Sequence, residues 1–254
     1  MSLTILAQPR TGSSTLFSSL SCHPDIHGLY EPFRNLMTNS HNVKEGPYFK
    51  KLKKTSLFQF KNLINEIDKK YNCIKTIDGH LTHAQNMTWV SNTNAKIILL
   101  SRNNLLQQSV SICISSQSKI WHWFTINDGI KIHRNFNFEP IDIKMVKDYM
   151  HSLSTLKLKT QKRIESKASG RYMSITYEEL YNQKVSSEEY LHKIREILKF
   201  GEFDPSKIDE EAVKKLVEIG RFNSEDVYRR IPNIMEIEKE LGSKQYGFLF
   251  DVTA

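Results

Sequence analysis

The stretch Leu3-Thr-Ile-Leu-Ala-Gln-Pro-Arg-Thr-Gly-Ser-Ser-Thr-Leu-Phe17 joins an apolar run to a turn of small residues and then to a helical pattern. The apolar run predicts a buried strand, Pro9 ends it, and the small residues suit a tight turn. A strand that stops this way leaves the first N–H groups of the next helix unpaired and aimed at one point, where the helix dipole adds positive charge. An anion is therefore expected at Thr11, Gly12, Ser13, Ser14 and Thr15, with Arg10 beside it. The turn departs from the nucleoside-triphosphate loop G-x-x-x-x-G-K-[ST], because Gly12 is followed by Ser13-Ser14-Thr15 and no Lys. A dinucleotide-binding G-x-G-x-x-G is absent as well.

The same strand-then-helix format returns in Lys96-Ile-Ile-Leu-Leu-Ser-Arg-Asn-Asn-Leu-Leu-Gln-Gln-Ser-Val-Ser111. The run Ile97 to Leu100 reads as a parallel strand buried on both faces. Arg102 emerges at its carboxyl end, where open α/β sheets place ligands, and Asn103 or Asn104 suits the cap of the following helix. Four strand candidates, 3–8, 71–78, 95–101 and 171–177, are spaced widely enough for crossover helices. They predict a three-layer α/β fold with a central parallel sheet, in one domain spanning 1–254.

Pro-Arg-Thr-Gly-Ser-Ser-Thr at 9–15 resembles the 5′-phosphosulfate loop of sulfotransferases, which transfer a sulfuryl group from 3′-phosphoadenosine-5′-phosphosulfate (PAPS) and release 3′-phosphoadenosine-5′-phosphate (PAP). Arg102 with a serine on the next helix is similar to that family's 3′-phosphate site. The wording 102–111 is nearest to the bacterial trehalose sulfotransferase-like group, whose spacing implicates Ser111, with Ser109 in reserve. The run Arg171-Tyr-Met-Ser-Ile-Thr-Tyr-Glu-Glu-Leu180 looks like the family's late strand and turn, which suggest no chemistry. The stretch beginning Arg229-Arg-Ile-Pro-Asn-Ile-Met-Glu236 is similar to its closing element.

The resemblance implies a P-loop-like phosphosulfate-binding loop and a reaction at a hydroxyl of a small molecule or carbohydrate, with no metal. Donor and acceptor must be held in line, the leaving phosphate neutralised and the hydroxyl proton removed. Arg10 matches the charge-neutralising position of the carbohydrate and bacterial branches, and Lys75 in Cys73-Ile-Lys-Thr-Ile77 resembles a strand lysine that clamps the transferring group. Glu31 in Leu29-Tyr-Glu-Pro-Phe33 is the expected base, as those branches place a Glu there, often before Pro. Burial beside Tyr30, Pro32 and Phe33 would bring its proton affinity toward the working pH. His80 is the rival base, since cytosolic sulfotransferases use a His shortly after the strand lysine, although here it follows Lys75 by five residues. His80 and His83 lie three apart without a partnering ligand motif. Trp121-His122-Trp123-Phe124 and the loops around 34–55 and 118–140 are candidates for the acceptor pocket.

A net charge of +8 suits a polyanionic donor, yet suits nucleic acid or an anionic membrane equally. The cluster Lys50-Lys51-Leu52-Lys53-Lys54 runs into Leu57, Phe58, Phe60, Leu63, Ile64 and Ile67, an amphipathic helix with a solvated basic face. No nucleic-acid-binding motif accompanies it, so no nucleic-acid partner is expected. Without an apolar span of about twenty residues or a signal-peptide core, the expected location is cytoplasmic. Cys22, Cys73 and Cys113 read as reduced core thiols. Two further classes stay open: a nucleotide or nucleoside kinase of related architecture, and a noncatalytic basic binding module.

Overall fold

A computed structural model describes residues 1–34, 46–52, 55–120, 136–182, 185–220 and 224–250. Lys53, Lys54, the cluster Trp121–Phe124 and most of the two expected acceptor loops lie outside the described residues.

Five parallel strands form one sheet: β1 (Leu3–Ala7), β2 (Gly28–Tyr30), β3 (Cys73–Ile77), β4 (Lys96–Ser101) and β5 (Tyr172–Thr176), in the order β2-β3-β1-β4-β5. Four coincide with the predicted strands. The fifth, β2, has only three residues, one of them Gly28, too short a run to carry a period of two.

Alternation along the buried strands feeds two cores. Leu3, Ile5, Ala7, Ile98 and Leu100 face one side, against α1 (Ser13–Leu20), α8 (Ser187–Phe200) and α9 (Glu210–Gly220). Leu6, Ile97 and Leu99 face the other, against Val90 of α4 (His83–Asn92) and Ile164 of α6 (Ile143–Lys167). Ile74 and Leu29 meet Phe60, Leu63, Ile64 and Ile67 of α3 (Leu57–Lys70) on that second side. The result is the three-layer architecture that apolar strands with amphipathic crossovers dictate. Leu57 and Phe58 depart from the expected apolar stripe and are exposed, because the capping box of Ser56 and Gln59 starts the helix there and turns its first residues outward.

Strand order puts the crevice in place. β1 lies between β3 and β4, with Leu3 in register with Cys73 on one side and Lys96 on the other. The loops leaving the carboxyl ends of β1 and β4 therefore open beside each other, as ligand sites of open α/β sheets require. A short α2 (Phe49–Leu52) precedes α3, α5 (Leu105–Ser118) follows β4, and α7 (Tyr177–Tyr181) follows β5 directly. The chain closes with α10 (Ser224–Tyr228) and α11 (Ile234–Leu241), which pack with α5 and α6 in a separate core. Among the described residues no helix is long and apolar enough to cross a membrane.

Candidate functional site

The turn between β1 and α1 holds two exceptions to ordinary backbone geometry, one on each side of Thr11. Arg10 has φ 61° and Gly12 has φ 74°, both left-handed. Gly12 is the N-cap of α1 and contributes no side-chain cap, and no acidic residue stands in the first turn. The N–H groups of Ser13, Ser14 and Thr15 thus have no acceptor within the helix. Thr11 closes the turn by donating from Oγ1 to the Gln8 carbonyl at 2.8 Å, and Gln108 Nε2 donates to the Pro9 carbonyl at 2.7 Å. The Tyr181 hydroxyl donates to the Gly12 carbonyl at 2.9 Å. A Cβ on Gly12 would run into the Tyr181 ring, so glycine is needed for close packing as well as for its φ.

Arg10 turns inward and donates from Nε to Ser111 Oγ at 2.8 Å, across 101 residues of sequence. Burial lowers its pKa to about 10, Tyr228 opposes the shift, and the neighbouring Arg102 adds to it. Arg102 itself is 4% exposed. It donates from one terminal nitrogen to the Arg10 carbonyl at 3.3 Å and from the other to Gln107 Oε1 at 2.7 Å. Its guanidinium carbon lies 4.0 Å from the centre of the Tyr177 ring. Its Nε and the Ser109 hydroxyl are buried without hydrogen-bond partners. Of the two serines weighed from sequence, Ser111 touches Arg10, while Ser109 is fully buried within α5. Asn104 caps α5 by accepting from the Gln107 N–H, and the Asn103 and Asn104 N–H groups donate to Glu178.

Lys75 and Glu31 stand on the opposite flank of α1. Lys75 occupies the middle of β3 and shares the α1 side with Cys73 and Ile77, so it is buried rather than snorkelling from a strand end. It pairs with Glu31 Oε1 and approaches the Tyr30 hydroxyl at 3.3 Å and Ser14 Oγ at 3.5 Å. Tyr30 and Ser14 share a 2.6 Å hydrogen bond, which ties this flank to the first turn of α1. Glu31 is 2% exposed, has φ 42°, and meets Arg34 through Oε2 at 3.2 Å. Burial pushes the Lys75 ammonium below its ordinary range against the opposing effect of Glu31. Burial, with Glu31 second, raises the Tyr30 phenol. Left-handed φ at both Arg10 and Glu31 is the kind of local strain that surrounding structure sustains at functional positions.

His80 lies on the edge of this group. Its Nδ1 is buried without a partner, and burial lowers its pKa to about 4, with Glu31 opposing and Lys75 and Arg34 reinforcing. His83 belongs elsewhere: its Nδ1 is 3.2 Å from Arg163, which pairs with the buried Asp78 at 2.8 Å. Among the described residues no three His, Cys, Asp or Glu side chains converge on one point.

The arrangement assembles Arg10, Thr11, Gly12, Ser13, Ser14 and Thr15 with Arg102 and Ser111 on one flank and Lys75 and Glu31 on the other. Sequence reading alone assigns no role to Arg34, Gln107, Tyr177 or Tyr181, and takes Tyr30 for an apolar neighbour of Glu31 rather than a hydrogen-bond partner of Ser14. Tyr177 belongs to the late strand-and-turn stretch 171–180, from which no chemistry was expected, yet it stacks on Arg102, and Tyr181 just beyond that stretch packs on Gly12. No protein-family model matches the chain, and neither does any curated protein.

Proposed function

We propose that residues 1–254 form a PAPS-dependent sulfotransferase acting on a hydroxyl of a small-molecule or carbohydrate acceptor. One observation carries the reading: the buried Arg102 donates to the backbone carbonyl of the half-buried Arg10, 92 residues away, so that two cations share one corner of the site. Burial and mutual repulsion both penalise such a pair, and a multiply charged anion would offset both. The polar groups fit a 3′-phosphorylated nucleotide, since the α1 N–H groups, Arg10 and Ser14 present donors. Arg102 and the Ser111 hydroxyl stand beside them, on the α5 side of Arg10.

PAPS would supply a sulfuryl group activated by its phosphoric–sulfuric anhydride. The chain's own part is electrostatic and positional. The first turn of α1 holds anionic oxygens with backbone donors fixed in advance, which cost no reorganisation during reaction. Arg10 and Lys75 place positive charge on either side of that turn, where the leaving phosphate gains negative charge. Glu31 accepts the acceptor's hydroxyl proton, on whichever carboxylate oxygen its cation partner yields. His80, held neutral at pH 7 by burial, is the reserve base. A cytoplasmic setting accords with the three free cysteines. Metal plays no part in this reading, and neither does nucleic acid.

Titration calorimetry with PAP, ATP and a short oligonucleotide tests it. PAP is expected to bind and to raise the melting temperature well beyond ATP. Equal responses to PAP and ATP, or preference for the oligonucleotide, would overturn it.

A further inference from the structure

The segment Ser243–Phe250 is folded across the front of α5, close to Arg102. Ser243 and Gly247 exchange backbone hydrogen bonds at 3.1 and 2.8 Å, forming a small clasp. The clasp is fixed to the start of α5 by three contacts. Asn104 Nδ2 donates to the Phe248 carbonyl at 2.7 Å, the Leu106 N–H donates to the Tyr246 carbonyl at 3.0 Å, and Gln107 Nε2 donates to the Leu249 carbonyl at 3.1 Å. Leu249 is fully buried, and its N–H donates to Glu238 Oε2 at 2.9 Å. Gly247, at φ 90°, lies so close to Asn104 that a Cβ would overlap that side chain. This is the close approach that only glycine permits.

Gln107 is where the clasp meets the site. Its amide nitrogen is held by Leu249, which leaves its oxygen directed at Arg102, 2.7 Å from the guanidinium. A long arginine side chain carries considerable rotamer freedom, and ordering it before a ligand arrives lowers the loss on binding. A carboxylate could order it too, but would neutralise it. A neutral amide oxygen fixes the fork while leaving its charge for an anion. Tyr177 does the same from below through its ring face.

We propose that Gln107 is a positioning residue for Arg102, oriented by the Ser243–Phe250 clasp, and that together they set the preference of the site for a 3′-phosphorylated nucleotide. This rests on the sulfotransferase reading and names the device behind its selectivity. Gln107 touches the arginine and acts through it.

The test measures dissociation constants for PAP and for AMP, which lacks the 3′-phosphate, in the full chain and in two variants. Gln107→Leu removes the amide, and Gly247→Ala displaces the clasp without altering Gln107. Each is expected to weaken PAP binding by about tenfold while AMP changes by less than about twofold, the loss of one preorganising contact. Parallel loss of PAP and AMP would mark a general packing role and overturn the inference, as would an unchanged PAP-to-AMP ratio. Should Gln107→Leu fail to fold, Gly247→Ala alone decides. If the unaltered protein fails to prefer PAP over AMP, the reading of Arg102 falls, and this inference falls with it. That failure shows before any variant is made.

Discussion

Lys75 and Glu31 are joined twice, through the ion pair of their side chains and through the Glu31 N–H, which donates to the Lys75 carbonyl at 2.8 Å. The backbone bond continues the β2–β3 ladder one residue past Tyr30, which is in register with Lys75. The acid is thereby fixed to the strand that carries its cation. Removing Glu31 strands the buried Lys75 ammonium, and removing Lys75 leaves the Glu31 carboxylate to its pair with Arg34, losses of up to about 3–5 kcal/mol for buried pairs. Lys75→Met should therefore lower the urea midpoint sharply, and Lys75→Met combined with Glu31→Gln should recover much of it. A double variant as unstable as the sum of the singles would exclude the coupling.

Glu31→Gln keeps the shape and the Arg34 contact while removing the proton acceptor. Once an acceptor is found, turnover should fall by roughly a hundredfold or more with PAP affinity retained. His80→Asn should be mild by comparison. The reverse pattern, measured by radiolabelled sulfate transfer, would assign the base to His80.

Arg10→Ala should depress turnover more than PAP affinity, because its charge acts where the leaving phosphate becomes more negative. Arg102→Ala should instead weaken PAP binding by about 2 kcal/mol or more, the loss of a charge-assisted contact. Calorimetry beside single-turnover rates separates the two roles. Equal losses of rate and affinity for Arg10→Ala would make it a simple anchor.

Gly12→Val should abolish PAP binding and destabilise the fold. The structure puts the Tyr181 ring in the way of the new side chain, and φ 74° adds strain. The strain alone is about 1–2 kcal/mol. Thermal melts of Gly12→Ala, with and without Tyr181→Ala, should show partial relief in the double variant.

His80 links stability to pH. Its folded pKa of about 4 lies below the ordinary 6.5, so between these values the unfolded chain holds the proton and the folded one does not. Its contribution is present above pH 6.5 and is lost as pH falls toward 4, on the order of 1–3 kcal/mol. His80→Asn should flatten this part of the stability profile, read from urea midpoints at pH 7, 5.5 and 4.5. An unchanged slope would show that His80 titrates normally.

The frame was legible because its strands are continuous apolar runs, and Ile97 to Leu100 can be read in no other way once Arg102 and the α5 cap follow. Arg10, Gly12 and Arg102 stood out for the same local reason: each sits where a strand gives way to a helix. Lys75 was visible as a charge inside an apolar strand, although its depth was not, since burial depends on what covers the strand. Tyr177, Tyr181 and Gln107 were illegible because nothing in their own neighbourhoods marks them. A tyrosine after a strand and a glutamine on a helix are ordinary until the fold lays them on Arg102 and Gly12. The edge strand β2 escaped notice because three residues cannot display a period, even though it delivers Glu31.

The bond from the Tyr181 hydroxyl to the Gly12 carbonyl spans 169 residues, and the one from Arg10 to Ser111 spans 101. Contacts of such separation close long loops, whose entropy must be offset before the contacts contribute. The packing around the glycine turn thus depends on both halves of the chain. A chain still missing β5 and α7 at the ribosome has the glycine turn but neither the ring that packs on it nor the face that supports Arg102. Recovery of ligand binding during refolding should consequently lag the recovery of helical signal and mark the arrival of the native state.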